Sequence, residues 1–211
     1  MFTPRRPHGT DVRAGALVRG ACFTVVALVL IAYEWAPARV PWAPGLLPAL
    51  FVGYAMESAL DPLIHGRAMP AHYAAEMAQH LGQGAAMLLA GVVEWARLRG
   101  RLRTVGWGLV TPAAILVVAV VFLRHAQHDA SASPAVLMVQ HRAFAATRGV
   151  AACARAAFAV APRVVALRSA WLLPLLTFGV LLLAYTERPP ASGRAEMQPA
   201  AARSAAHGAE H

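Results

Sequence analysis

Six long apolar runs follow one another along the chain, separated by short polar segments. They cover residues 15–36, 45–64, 71–96, 104–125, 134–161 and 170–186. Each has roughly the 20 residues that a helix needs to cross about 30 Å of hydrocarbon, and none alternates as the strands of a membrane barrel do. The pattern predicts an all-α integral membrane protein, an antiparallel bundle of about six transmembrane helices.

The two ends of the chain differ from the apolar runs. Residues 1–14 form a basic N-terminal tail, and residues 188–211 are mainly Ala, Pro, Ser, Gly and Arg with no apolar period. A segment of that composition buries too little apolar surface to fold. We therefore expect a disordered tail at 188–211 and a transmembrane domain over 15–187. Pro134 is expected to open the fifth helix, and Pro62 to break the second helix near its end.

Composition and charge agree with a membrane protein. The chain is 58% hydrophobic and 14% charged, and its 19 basic residues are all Arg, for a net charge of +9. The arginines flank the apolar runs, which is typical of charges at a membrane edge and not of a nucleic-acid-binding face. Lys and Asn are absent, as in GC-rich bacterial genomes, and we expect a bacterial inner (cytoplasmic) membrane. Cys22 and Cys153 are interpreted as small buried hydrophobes.

Histidines and acids gather near two of the connections. Two sets have the i, i+4, i+8 spacing that places residues on one helix face: Glu57, Asp61 and His65 on the second run, and His72, Glu76 and His80 on the third. His125 and His128 end the fourth run, and His141 lies about two turns into the fifth. In an antiparallel bundle, the connections after the second and fourth helices share one side. These residues should converge near one membrane face.

Imidazole and carboxylate together are the ligands of zinc, copper and iron sites. Burying either group without a partner costs on the order of several kcal/mol. The rest of spans two to five in that half is nearly all Ala, Leu, Val and Gly, so we expect these groups to partner one another. The predicted transition-metal ligands are Glu57, His72, Glu76, His80, His125, His128 and His141. Gln79, Gln140 and His65 are predicted beside them, the glutamines orienting the imidazoles. A hydrogen-bonded polar core without metal is the alternative.

The stretches that carry these residues resemble the transmembrane protein 45 family. They read "MES", "MAQHLGQGAAMLLAGVVEW" and "VVFLRHAQHDASASPAVLMVQHR", within about residues 50–155. The resemblance implies a membrane fold in which an acid, loop histidines, a Gln-His pair, a helix-end pair and a last histidine fall on Glu57, His65 and His72, Gln79 and His80, His125 and His128, and His141. It names no reaction. A shorter likeness of "HAQHD" and "LLLAYTE" to bacterial copper-resistance membrane proteins favours copper.

Three classes of function follow from these residues. Metal handling, sensing or transport with copper, zinc or iron ranks first. A metal-dependent membrane enzyme, a hydrolase or an oxygen-using one, would use Glu57 or Glu76 as base or bridging ligand. A b-type cytochrome would use His80 and His141 as haem ligands, and ranks lower because it leaves Glu57, His72 and His125 without a role.

The arginines also predict an orientation. The segments 97–103 and 162–168 hold Arg and no His, which places them in the cytoplasm and the histidine-bearing connections in the periplasm. The N-terminal arginines favour the reverse, and they are Arg5, Arg6, Arg13 and Arg19. Arg148, two turns beyond His141, is expected to reach the membrane edge or to pair with an acid such as Glu94. The expected partners are the lipid bilayer and a metal ion, and no nucleic acid.

Overall fold

The computed structural model describes residues 9–65, 73–124 and 134–185, and the elements in these ranges are all helical. The helices are α1 (Gly9–Trp35), α2 (Leu46–His65), α3 (Tyr73–Leu98), α4 (Val105–Gly108), α5 (Val110–Arg124), α6 (Pro134–Val160), α7 (Val165–Ala170) and α8 (Leu172–Leu183). A single residue separates α4 from α5 and α7 from α8, so the chain forms six long helical segments. The predicted all-helical class is confirmed.

The helix bounds refine the predicted runs. α1 begins at Gly9, ahead of the apolar run, and its first turns contain polar residues. α6 begins at Pro134, as expected. The second helix continues through Pro62 to His65, so the expected break does not occur there. The predicted C-terminal tail lies outside the described residues.

Two prolines explain the breaks in the fourth and sixth segments. A proline has no N–H, and its ring clashes with the carbonyl four residues earlier. For Pro112 that carbonyl belongs to Gly108, the last residue of α4, and for Pro174 it belongs to Ala170, the last residue of α7. Both segments are therefore interrupted at the same offset from a proline.

The six segments pack as a ring in chain order. α1 packs on α2, α2 on α3, α3 on α5, α5 on α6, α6 on α8, and α8 returns to α1. Within the first half, Gly91 of α3 approaches Pro48 near the start of α2, whereas Gly84 approaches Ser58 nearer its end. These two contacts show that α2 and α3 are antiparallel.

The second half of the ring continues the alternation. Thr111 near the start of α5 contacts Glu94 near the end of α3. Phe122 near the end of α5 contacts Phe144 of α6, in the half nearer its start. The ends of α2 and α5 and the starts of α3 and α6 therefore lie together, and we name this the histidine end. The opposite end, where α3 and α6 finish, is the arginine end.

The outer surface of the ring is apolar. Large exposed side chains occur on every segment, for example Val25, Met56, Leu88, Val117 and Val150. Five segments are long and apolar enough to cross a membrane: Arg13–Trp35, Ala43–Leu60, Val105–Arg124, Val136–Val160 and Val165–Leu183. α3 is not among them.

The two cysteines belong to this outer surface. Cys22 and Cys153 are both free and exposed, so the interpretation of them as buried is wrong. The apolar runs have an outer and an inner face, and both cysteines fall on the outer one.

Candidate functional site

A stripe of polar residues runs along the inner face of α6. His141, Arg148 and Arg155 are spaced by seven residues, or two helical turns, and so share one face. Arg148 and Arg155 are only 7% and 8% exposed, and His141 is half-buried. The stripe thus leads from the histidine end toward the arginine end through the interior.

α3 carries a second polar stripe. His80, Gln83 and Glu94 share a face with Met87 and Ala90, both of which are buried. Gln83 and Glu94 are each 5% exposed, and His80 is half-buried. The polar residues of α3 therefore point into the ring, and its outer face is left to leucine and valine.

Near the arginine end, the two stripes meet in a buried charge cluster. Glu94 accepts hydrogen bonds from the Thr111 hydroxyl at 2.6 Å, from Nη2 of Arg155 at 2.8 Å and from Nη1 of Arg97 at 3.3 Å. The Arg155 guanidinium also lies 4.7 Å from the centre of the Trp171 ring. One carboxylate therefore compensates two arginines at the junction of α3, α5 and α6.

Two turns away, Arg148 has a different environment. Its guanidinium lies over the ring of Phe122, at 4.3 Å from the ring centre, and over that of Phe178, at 4.0 Å. Its Nη1 is buried without a hydrogen-bond partner. The expectation that Arg148 reaches the membrane edge or pairs with Glu94 is wrong, because Arg148 is buried and Glu94 is bound by Arg155.

The polar neighbour of Arg148 is the Tyr54 hydroxyl on α2. That hydroxyl donates to Oε1 of Gln83 on α3 at 2.8 Å. Its proton is therefore directed at the glutamine, and its oxygen lone pairs remain to face the guanidinium. A polar chain of Arg148, Tyr54 and Gln83 links three helices across the interior.

A small cavity lies at the centre, and each of the six segments contributes to its wall. The lining includes Phe23, Phe51, Tyr54, Met87, Ile115, Arg148, Trp171 and Phe178. Its free volume is about 20 Å³, which is room for one water molecule. The residues around it are apolar apart from Arg148 and Tyr54.

At the histidine end, the two Gln-His pairs of α3 and α6 both make contacts with other residues. The His141 ring lies 5.4 Å from that of Phe122 and 6.1 Å from that of Phe144. Gln79, His80 and Gln140 also make polar or ring contacts. Both histidines lie on inward helix faces, and the convergence of the two pairs on one centre stays a prediction.

Glu57 has a partner that the sequence reasoning missed. Its carboxylate lies 3.2 Å from Nη1 of Arg19 on α1, and the two side chains are 39% and 35% exposed. The expectation that the predicted ligands partner only one another is therefore wrong for Glu57. Arg19 was counted among the charges at the membrane edge, although it lies inside α1 and faces α2.

The remaining predicted ligands fall largely outside the described residues. His72, His125 and His128 belong to the segments between helices that are not described, and Glu76 and His65 lie on helices with side chains that are not described. Among the residues that are described, no three His, Cys, Asp or Glu side chains form a group that could hold a metal ion. The full metal-ligand set stays a prediction.

Comparisons with other proteins add no relative. No family model, no curated protein and no solved structure matches the chain. The resemblance to the transmembrane protein 45 family therefore stays a prediction that rests on the ordered histidines and acids.

Proposed function

We propose that all six helical segments cross a membrane, α3 included. The 26 residues of α3 extend about 39 Å, more than the thickness of the hydrocarbon core. Its lower apolar content comes from His80, Gln83 and Glu94, which point inward, while Leu81 and Leu88 are exposed on its outer face. A helix that hides its polar residues from lipid fits a membrane bundle.

We further propose that the histidine end binds a transition metal, copper, zinc or iron, for handling, sensing or transport of that metal. The observation that carries this proposal is the placement of His80 and His141 on the inward faces of α3 and α6 near one end of the ring. The neighbouring sequence supplies His72, His125 and His128. Imidazole nitrogens gathered at one end of a bundle suit these metals.

Each residue has a role in this proposal. His80 and His141 provide nitrogen ligands, and Gln79 and Gln140 orient the imidazoles by hydrogen bonding. Glu57 is the least suited of the predicted ligands, because Arg19 already binds its carboxylate. A haem at the centre of the ring is disfavoured, since the cavity of about 20 Å³ there is far smaller than a porphyrin.

Metal content tests this proposal. The protein is purified in detergent, loaded in turn with copper, zinc and ferrous iron, and analysed for metal per chain. We expect about one bound ion in the wild type and at least a tenfold weaker retention in a variant carrying both His80→Ala and His141→Ala. His207→Ala, in the C-terminal tail, is the matched control and should bind like the wild type.

Two results would contradict the metal site. The first is a wild-type protein that retains none of the three metals after loading. The second is a double variant that binds as much metal as the His207→Ala control. Either result would favour the alternative of a hydrogen-bonded polar core without metal.

We place the protein in a bacterial inner membrane with the histidine end in the periplasm. The arginine end exposes Arg99, Arg101 and Arg103 after α3, and Arg163 and Arg168 after α6. Clusters of arginine in short connections favour the cytoplasmic side. Labelling from outside the cell, described at the close of the Discussion, tests this orientation.

A further inference from the structure

The charge of Arg148 lacks a carboxylate partner among the described side chains. Glu94 lies further along the interior and is bound to Arg155, and Glu57 is held by Arg19. Asp61 and Glu76 each lie seven residues beyond the level of Tyr54 and Gln83, which is about 10 Å along the helix axis.

The surroundings of the guanidinium favour its edge as the place where a ligand binds. The guanidinium lies over the rings of Phe122 and Phe178, and aromatic faces attract a cation without neutralising it. The N–H donors of arginine lie in the plane of the group and point outward from its edge. Nη1, which is buried and has no acceptor, is one of these edge nitrogens.

The cavity that Arg148 lines limits what can bind there. A volume of about 20 Å³ is open there to the centre of a water-sized particle. A single-atom ligand suits this space better than sulfate, phosphate, a lipid headgroup or an organic acid. A water molecule would accept a hydrogen bond from Nη1 but would leave the positive charge uncompensated, which is costly in an apolar interior.

We propose that the centre of the ring binds one small monovalent inorganic anion, such as chloride, on the edge of the Arg148 guanidinium. The Tyr54 proton is directed at Gln83, so the tyrosine oxygen acts as an acceptor for arginine and not as a donor to the anion. The anion thus supplies the charge that Glu94 supplies to Arg155. This site is separate from the histidine end and does not depend on the metal proposed there.

Chloride binding is measured directly and through stability. Protein purified in gluconate is titrated with chloride at constant ionic strength, in the presence of a metal chelator, by equilibrium dialysis with radiolabelled chloride. We expect about one saturable chloride per chain, with competition by bromide and none by sulfate. The thermal unfolding midpoint should rise over the same chloride range, because a ligand that binds only the folded state stabilises it.

Variants assign the site to Arg148. Arg148→Met replaces the charged side chain with an unbranched apolar one. This variant should weaken chloride binding by at least about tenfold. Arg148→Lys keeps the charge and should retain measurable binding. Arg163→Gln changes an exposed arginine between α6 and α7 and should bind chloride like the wild type, as should the double variant at His80 and His141.

The proposal is overturned if the wild type shows no saturable chloride binding, or if Arg148→Met binds as tightly as Arg163→Gln. If Arg148→Met does not fold, the wild type and Arg148→Lys still decide. Equal unfolding midpoints in gluconate and chloride for the wild type would also overturn it. Loss of metal with retained chloride binding would separate this site from the one at the histidine end.

Discussion

Two arginines on one helix are both buried, but their charges are compensated differently. Arg155 and Arg148 lie two turns apart on the inner face of α6, and both are more than nine-tenths buried beside aromatic rings. Arg155 has a carboxylate, since Glu94 of α3 accepts its hydrogen bond at 2.8 Å. Arg148 has two phenylalanine rings and the Tyr54 hydroxyl, and no described carboxylate.

This difference in counter-charge distinguishes an arginine with a structural role from one that can bind a ligand. A buried charge that is paired inside the protein needs no further ligand, and its pairing joins the helices that carry it. A buried charge without an internal counter-charge is more costly, and such groups inside membranes usually have functional roles. Arg155 is therefore interpreted as part of the scaffold, and Arg148 as part of a binding site.

Replacing Glu94, the acid that pairs with Arg155, should give the largest loss of stability. Glu94→Gln keeps the shape of the side chain but leaves Arg155 and Arg97 without a counter-charge. Breaking a buried ion pair from one side costs about 3–5 kcal/mol. The free energy of unfolding by denaturant in detergent micelles measures it, with Glu34→Gln on α1, half-exposed, as the control. A loss similar to that of the control would show that Glu94 does not stabilise the ring.

Replacing each arginine in turn compares the stability that Arg155 and Arg148 contribute. Arg155→Met leaves Glu94 buried with only Arg97, and should cost at least about 2 kcal/mol more than Arg148→Met. In chloride-free buffer Arg148→Met should cost less than about 1 kcal/mol, because it removes a charge that no carboxylate compensates. The same unfolding assay applies to both. Equal losses would mean that Arg148 is compensated from within the protein after all.

The two hydroxyl groups should also contribute unequally to stability, and Thr111 beside Glu94 should contribute more than Tyr54 beside Arg148. Thr111→Val removes a buried hydrogen bond of 2.6 Å to the Glu94 carboxylate, and hydrogen bonds to charged groups contribute about 1.5–3 kcal/mol. Tyr54→Phe removes a neutral hydrogen bond to Gln83 and should cost about 0.5–1.5 kcal/mol. Unfolding of both variants side by side tests the order. A larger loss at Tyr54 would indicate that the Arg148 level is the more stabilising one.

The smallest effect is expected at the partly exposed ion pair of α1 and α2. Glu57→Gln removes the partner of Arg19, and ion pairs of this exposure contribute about 0–1 kcal/mol. The small loss should shrink further at high salt, because ions screen exposed charges. Unfolding at low and high ionic strength measures both. A loss of the size expected for Glu94→Gln would place Glu57 in a tightly coupled site, as a metal ligand would be.

The sequence predicts the six segments well, because apolar length is a property of each segment alone. The breaks at Leu109 and Trp171 also have a local cause, the offset of four residues from Pro112 and Pro174, although the apolar runs conceal it. Pro62 shows the limit of this reasoning, since α2 continues past it.

Partners across helices were harder to predict. Spacing on one helix identifies a face, but it does not say which neighbour that face meets. Arg155 reaches Glu94 and Arg19 reaches Glu57 because α6 packs near α3, and α1 against α2, at particular depths. The sequence holds many arginines, and no local feature of Arg155 or Arg19 distinguishes them from those at the membrane edge.

If α3 crosses the membrane as a sixth span, the polar residues of the ring form an interior within the membrane. A chain with both native cysteines replaced by serine receives a single cysteine, either at Ala68, before α3, or at Leu102, after it. Intact cells are treated with a maleimide that does not cross membranes, before and after permeabilisation. With α3 as a sixth span, we expect position 68 to react from outside and position 102 only after permeabilisation. Labelling of both positions from the same side would contradict it, and labelling of position 102 alone from outside would reverse the orientation.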